Sequence, residues 1–349
     1  MDTMIRPSRA RADRTPLVSS AAAPRPSKIG AALKIGAACL LLKIGAACLL
    51  LKIGAACPPM APGPGLPGPR TEAAGPGLGG GGWIGEGGGV MRLGAHSPKL
   101  DAVRELRTKR GRREQGRFAV EGATMLAEAL AAGTLPEAVY VTERGTEDLP
   151  GADQLSGVVF TVPDKAMERL SDLETPPGIL AVFRWPEGGL DALLETGAPL
   201  ALLAGIADPG NAGSLLRAAE IFGLGGAVLT TGAVEPYNPK VVRATMGAIF
   251  RIRLAVAEPA EILAAAARHG YEVVVAAREG VPLPEFLFPE RPLIAIGHER
   301  HGVGAAFESD ARAVGIPQPG RGESLNAAAA GAIIFYAFSQ QCKNTNLQF

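Results

Sequence analysis

The stretch Ala204-Gly-Ile-Ala-Asp-Pro-Gly-Asn-Ala-Gly-Ser-Leu-Leu-Arg-Ala-Ala-Glu220 decides the fold. The apolar run 202–206 predicts a buried strand, and Asp208-Pro209-Gly210-Asn211 breaks it as a turn. A helix follows, with Leu215, Leu216, Ala219 and Phe222 on one face and Gly223 and Gly225 as stop signals. Arg217 is the outlier. It reads as about one turn into that helix, near the strand's carboxyl end, where open α/β sheets bind their ligands.

The same alternation continues outward. Downstream, strands are expected at 227–230, 249–254, 271–277, 292–296 and 313–316, with helices at 239–246, 259–269 and 324–338. The last helix carries almost no charge and is expected to be largely buried, with a frayed tail after it. Upstream, strands are expected at 118–122, 138–141, 158–162 and 179–183, with helical segments at 123–132 and 165–170. Strand and helix alternating in this way predict an α/β fold with a mainly parallel sheet. Pro186-Glu-Gly-Gly and Thr196-Gly mark a linker, so the chain divides into a small domain at 91–190, a larger one at 196–340 and a tail at 341–349.

Residues 1–90 have a different texture. Lys34-Ile-Gly-Ala-Ala-Cys-Leu-Leu-Leu42 recurs unchanged at 43–51 and, truncated, at 52–57, which points to duplicated DNA rather than a solenoid repeat. Lysine interrupts the apolar text every nine residues, so no run approaches the roughly 18–20 residues of a membrane span. The Pro- and Gly-rich stretch 58–89 cannot bury enough apolar surface to order itself. The expectation is a disordered extension, with the native protein beginning near Met91. An Arg-rich, acid-poor start is also the composition of an organellar transit peptide. Cys39, Cys48 and Cys57 are copies within the repeat, and with Cys342 they give neither CxxC spacing nor a histidine partner. The expectation is a cytoplasmic protein with no membrane span, no structural disulfide and no metal site.

Net charge is +1, so affinity for a polyanion must come from a local patch. Segment 99–117 supplies one, with eight basic side chains against three acidic. Arg104, Arg107, Lys109, Arg110, Arg112 and Arg113 are the candidates for phosphate contacts. The bland alternative is a solvated helix face.

Three glycine-containing loops follow strands in the larger domain, at 208–213, 297–304 and 317–323. None is a GxGxxG or GxxxxGK[ST] fingerprint. Asn211-Ala-Gly213 with Arg217, Gly297-His-Glu299 with Gly302, and Ile316-Pro317 with Glu323-Ser-Leu-Asn326 resemble, in order, the three motifs of the SpoU (TrmH-like) RNA 2′-O-methyltransferases. Tyr237-Asn-Pro-Lys-Val-Val-Arg243 and Gly247-Ala-Ile-Phe250 are similar to the family's intervening text. The resemblance spans about residues 97–338.

What the resemblance implies is a SPOUT domain with a trefoil knot, preceded by a small L30e-like RNA-binding domain, working as a homodimer. S-adenosylmethionine would be held by Gly297, Gly302, Ile316 and Leu325, with Thr230 or Thr231 at its edge. Arg217, Asn211, Glu299, Ser324 and Asn326 match the catalytic positions, and the substrate would be rRNA or tRNA. The family assigns the arginine to activating the hydroxyl. A guanidinium is a poor base, so fixing a phosphate and stabilising a developing alkoxide are the better chemical roles. Asn211, Glu299, Ser324 and Asn326 would orient it and the ribose, while Ser324 and Asn326 are also plausible helix caps. His298 stands where the family more often has Asn. Two other readings stay open: a non-catalytic RNA-binding protein that kept the fold, and an RNA base methyltransferase.

Overall fold

The computed structural model describes residues 91–321 and 324–344, all within one unit spanning residues 79–349. The repeats, Cys39, Cys48, Cys57 and the expected extension lie outside the described residues, as does Glu323. The first elements are β1 (Met91–Arg92), α1 (Pro98–Glu105), α2 (Lys109–Gln115), β2 (Arg117–Glu121), α3 (Ala123–Ala131), β3 (Ala138–Val141), β4 (Val159–Thr161), α4 (Asp164–Leu170) and β5 (Ile179–Arg184). They form a five-stranded mixed sheet in the order β1-β4-β3-β5-β2. A short helix, α5 (Leu190–Leu194), stands within the expected linker.

The second series is β6 (Leu200–Ala204), α6 (Pro209–Ile221), β7 (Gly226–Thr230), α7 (Pro239–Ala244), β8 (Arg253–Ala257), α8 (Pro259–Arg268), β9 (Glu272–Pro282), β10 (Pro292–Gly297), α9 (Ala305–Glu308), β11 (Arg312–Gly315) and α10 (Ala327–Asn344). Its six strands pair in parallel throughout, in the order β11-β9-β10-β6-β7-β8. β6 and β7 are buried at every residue, as central strands covered on both faces must be.

Helix starts follow the local chemistry. Asp208 caps α6, its side chain accepting the Asn211 N–H at 2.7 Å, and Pro209 occupies the first position. The helix therefore starts at Pro209, and Arg217 lies about two turns along it rather than one. α10 packs on α6 so closely that a Cβ on Gly331 would fall 2.2 Å from Leu215 Cδ2. That helix starts at Ala327, not Ser324, because Asn326 caps it, and it runs on through the segment expected to fray. It is also less buried than its composition predicts, since Ile333 and Tyr336 are exposed.

The strand expected at 249–254 is corrected. Ala248–Phe250 is a 3-10 turn entered through positive φ at Met246 and Gly247, and the strand begins only at Arg253. The basic segment is two helices, broken at Thr108, which caps α2 by accepting the Gly111 N–H at 3.0 Å.

The two sheets share packing. Phe118 and Phe183 of the small sheet meet Tyr237 and Phe250 of the second series, with ring centroids 4.8 Å apart for Phe118–Tyr237 and 4.9 Å for Phe183–Phe250. Arg112, only 2% exposed, forms an ion pair with the buried Glu235. Tyr140, stacked on Phe160 in the small core, has its hydroxyl pKa pushed up by burial.

Candidate functional site

β10 lies beside β6 with Gly297 opposite Ala204, so the loops leaving the carboxyl ends of these strands are neighbours despite their separation in sequence. Asn211 donates from Nδ2 to Glu299 Oε1, and its Oδ1 accepts from Asn326 Nδ2 at 2.9 Å. Asn326 Oδ1 in turn accepts the N–H groups of Ala328 at 2.9 Å and Ala329 at 3.2 Å. These contacts fix the polarity of the chain. Because the Asn326 oxygen is committed to the start of α10, its amide nitrogen faces Asn211. Asn211 then has only its own NH₂ to offer Glu299, and a carboxylate is the acceptor that ends the relay. Asn211, at the centre, thereby ties Glu299 on one side to Asn326 on the other.

Beside this relay is a cavity of about 470 Å³ at the carboxyl ends of β9, β10 and β11. Gly297, Gly302, Ile316, Ser324 and Leu325 line it, as does Glu299, with a floor of small apolar residues including Ala276, Val314 and Ala327. Ser324 belongs to this wall and not to the relay. Thr230 and Thr231 do not line the cavity. The Thr230 hydroxyl instead accepts the Gly205 N–H at 2.9 Å, pinning the turn after β6, and Thr231 is exposed on that side. The resemblance put one of them at the cofactor's edge, and neither belongs to this cavity's lining.

The mouth is shaped by a tight turn in which His298 and Gly302 exchange backbone hydrogen bonds of 2.9 Å each way. A Cβ on Gly297 would sit 2.1 Å from the Gly302 carbonyl carbon and 2.3 Å from Val303 N, against backbone that cannot swing aside. Gly297→Ala is therefore expected to force this turn open and weaken, by roughly ten-fold, binding of the S-adenosylmethionine that the resemblance implies for this cavity, read by calorimetry. Unchanged affinity would show that the turn is not the cofactor's wall. His298 Nδ1 accepts the Arg300 N–H at 3.1 Å, and its ring lies 4.9 Å from that of His301, so both histidines belong to the turn itself.

Arg217 is not brought to the relay. Six residues separate it from Asn211, about one and two-thirds helical turns, which turns the two side chains to different faces of α6. Its own face carries Ser214 and Ile221, all exposed, and Arg217 makes no hydrogen bond or ion pair among the described residues.

The basic patch is only partly available. Arg104, Arg107, Lys109, Arg110 and Arg113 are exposed. Arg110 is engaged with Glu114 at 2.7 Å, and this partner raises its pKa. Arg112 is withdrawn from any RNA surface: both Nε and Nη2 go to Glu235 Oε2, and Nη1 goes to the Leu106 and Arg107 carbonyls at 2.9 and 3.1 Å. Its expected RNA contact is corrected to a structural one. Nothing local in the sequence singled out Glu235. The sequence reading also missed Arg243, whose only signal was its place in the 237–243 text.

A family model described as the SpoU rRNA Methylase family matches residues 199–336, and an MRM3-like substrate binding domain model matches residues 97–181. The chain is 29% identical over 245 residues to the 23S rRNA (guanosine(2553)-2'-O)-methyltransferase RlmP of Bacillus subtilis, covering 69% of this chain and 96% of that protein. It is 30% identical over 192 residues to the 23S rRNA (uridine(2479)-2'-O)-methyltransferase of Streptomyces viridochromogenes, covering 52% and 67% respectively. Among solved structures, the SpoU methyltransferase AviRb of that organism, in complex with AdoMet, is similar with a TM-score of 0.61 at 26% identity, over 70% of this chain and 98% of the other.

Proposed function

We propose, for a chain that belongs to the SpoU rRNA methylase family, that it transfers a methyl group from S-adenosylmethionine to a ribose 2′-hydroxyl of rRNA. The observation that carries this reading is the Glu299–Asn211–Asn326 relay bordering the glycine-walled cavity. The cavity fits the cofactor. Its volume lies within the roughly 300–1,000 Å³ of small-molecule sites, and the absence of a side chain at Gly297 lets the 298–302 turn close tightly over its mouth. Gly297, Gly302, Ile316 and Leu325 would hold the molecule. When bound, it supplies an electrophilic methyl group on a sulfonium. The chain's own task is to orient the ribose oxygen, exclude water and accept or share the hydroxyl proton. Glu299, His298 and Glu308 are the acid–base side chains at the cavity wall, and of these Glu299 is the one the relay holds still.

Arg217 is the group for the phosphate and the developing alkoxide, and on this reading it acts on the site of a second copy. Support comes from its face of α6. Ile221 is 59% exposed there, and Phe222 packs edge-on against Tyr336 of α10, whose exposed Tyr336 and Ile333 extend the apolar surface. A homodimer joined through α6 and α10 would cover that surface and carry each Arg217 across the interface. A trefoil knot is part of the same reading. It is supported by the return of the chain from β11, at the sheet edge, past β9 and β10 to bring Asn326 against α6, and a knot there would be an exception to the rule that chains avoid threading. The small sheet is assigned an L30e-like, RNA-binding role, supported by the substrate-binding model over residues 97–181.

The test is incubation with tritiated-methyl S-adenosylmethionine and unmodified rRNA, followed by mapping of methylated riboses. Label on a 2′-oxygen is expected. Label on a base would make the chain a base methyltransferase, and RNA binding without transfer would make it a non-catalytic RNA-binding protein.

A further inference from the structure

Asp172 lies where the two sheets meet and holds an arginine from each side. Arg107, between α1 and α2, brings Nε to 3.8 Å from Asp172 Oδ1, while Arg243, on α7, brings Nη2 to 3.5 Å from Oδ2. Arg107 is further fixed by donating from Nη1 to the Arg169 carbonyl at 3.3 Å. The loop presenting Asp172 is built for the purpose. Glu121 accepts the Asp172 N–H at 2.9 Å and the Ser171 hydroxyl, and that hydroxyl accepts the Leu173 N–H at 3.0 Å.

The contacts to the carboxylate itself are long and wet. The side chains of Arg107, Arg243 and Asp172 are 41%, 30% and 27% exposed, the regime in which ion pairs are screened and exchange easily. Two guanidinium groups thus converge on one accessible anion without binding it tightly. A phosphate offers the same oxygen geometry with stronger hydrogen bonds. Lys240, one turn before Arg243 on α7, and Met246, just past the helix, are both exposed. Met246 has φ +48, its N–H donating to the Arg243 carbonyl at 3.1 Å, and strained backbone of this kind concentrates at ligand clamps.

We propose that Arg107 and Arg243 form a clamp for one RNA backbone phosphate, spanning the two sheets, with Asp172 the internal anion that occupies it until RNA arrives. The proposal rests on the reading of the chain as an RNA methyltransferase, and it assigns a substrate contact to the methylase half that the basic segment 99–117 does not contain. RNA held this way is gripped by both sheets at once, which fixes its approach to the cavity.

The experiment measures binding of unmodified large-subunit rRNA transcribed in vitro across a salt series, using the full chain. Arg107→Gln and Arg243→Gln are each expected to flatten the slope of log K against log salt by about 0.7–0.9, the value of one phosphate contact. Arg243→Lys is expected to keep the slope, and Asp172→Asn to tighten binding several-fold. S-adenosylmethionine affinity without RNA serves as the folding control for every variant and is expected to be unchanged. An unaltered slope in Arg243→Gln, or weaker binding in Asp172→Asn, would overturn the clamp. Failure of the wild-type chain to methylate RNA would instead overturn the functional reading, so the two failures are distinguishable.

Discussion

Arg112→Ala is expected to cost about 3–5 kcal/mol of folding stability, the usual penalty for removing one partner of a buried ion pair. The pair is deeply enclosed, with side-chain exposures of 2% for Arg112 and 5% for Glu235. Truncation leaves a carboxylate in an apolar seam and removes the donor from the Leu106 and Arg107 carbonyls. Glu235 Oε1 already has no hydrogen-bond partner, so the arginine is what makes this burial tolerable. The damage is expected to reach the second sheet, because the Glu235 carbonyl accepts the Asn238 N–H at 3.1 Å and Asn238 caps α7. Urea unfolding gives the difference directly, and a melting point lower by on the order of 10 °C is the thermal equivalent for a unit of this size. Arg112→Met combined with Glu235→Leu is expected to be less harmful than Arg112→Ala alone, since no charge is then stranded. A single variant within about 1 kcal/mol of wild type would mean that water reaches the pair.

That pair also marks what the sequence cannot reveal. Among the basic residues of segment 99–117, nothing local distinguishes Arg112 from its neighbours, because its partner lies 123 residues away. The strands were legible where burial was continuous: the apolar run 202–206 was read as a buried strand, and β6 is that strand shifted two residues earlier, ending at Ala204 because Gly205 takes φ +67. The strand expected at 249–254 rested on Phe250, Ile252 and Leu254 alternating with Arg251 and Arg253, and that alternation misled. Phe250 faces the small sheet's aromatic cluster from a 3-10 turn, and Arg251 is held by Glu220 and Glu128 rather than by solvent. The polar motif residues were legible as a set through the resemblance to the three SpoU motifs, and parallel strands bring their loops to one sheet end. Their connectivity was not, since the direction of the relay depends on Asn326 being a helix cap, which becomes visible only once α10 is seen to start at Ala327. Thr230 entered the cofactor set only through the resemblance, and the hydrogen bond its hydroxyl accepts from Gly205 was not legible in sequence.

Arg217→Ala is expected to lower kcat by about 10²–10³-fold, the effect of removing one donor to a developing oxyanion, with S-adenosylmethionine affinity unchanged. The stronger test asks which site the residue serves. Arg217 and Asn211 occupy different faces of α6, and only Asn211 reaches Glu299. If Arg217 acts across a two-fold interface, a chain carrying Arg217→Ala and a chain carrying Glu299→Gln complement each other. In a mixed dimer, one site receives the intact Glu299 of the first chain and the intact Arg217 of the second, while the other site has neither. Random exchange makes about half the dimers mixed, with one working site in each, so roughly a quarter of wild-type activity is expected from two preparations that are nearly inactive separately. If Arg217 serves the site of its own chain, every site in the mixture lacks one of the two residues and no activity returns. Recovery in single-turnover methyl transfer to rRNA, after unfolding and refolding the two variants together, would establish both the dimer and the crossing of Arg217. Inactivity of the mixture, with dimers present by light scattering, would return Arg217 to a role on its own subunit and leave Glu299, held by Asn211 and Asn326, as the group that organises the reacting oxygen.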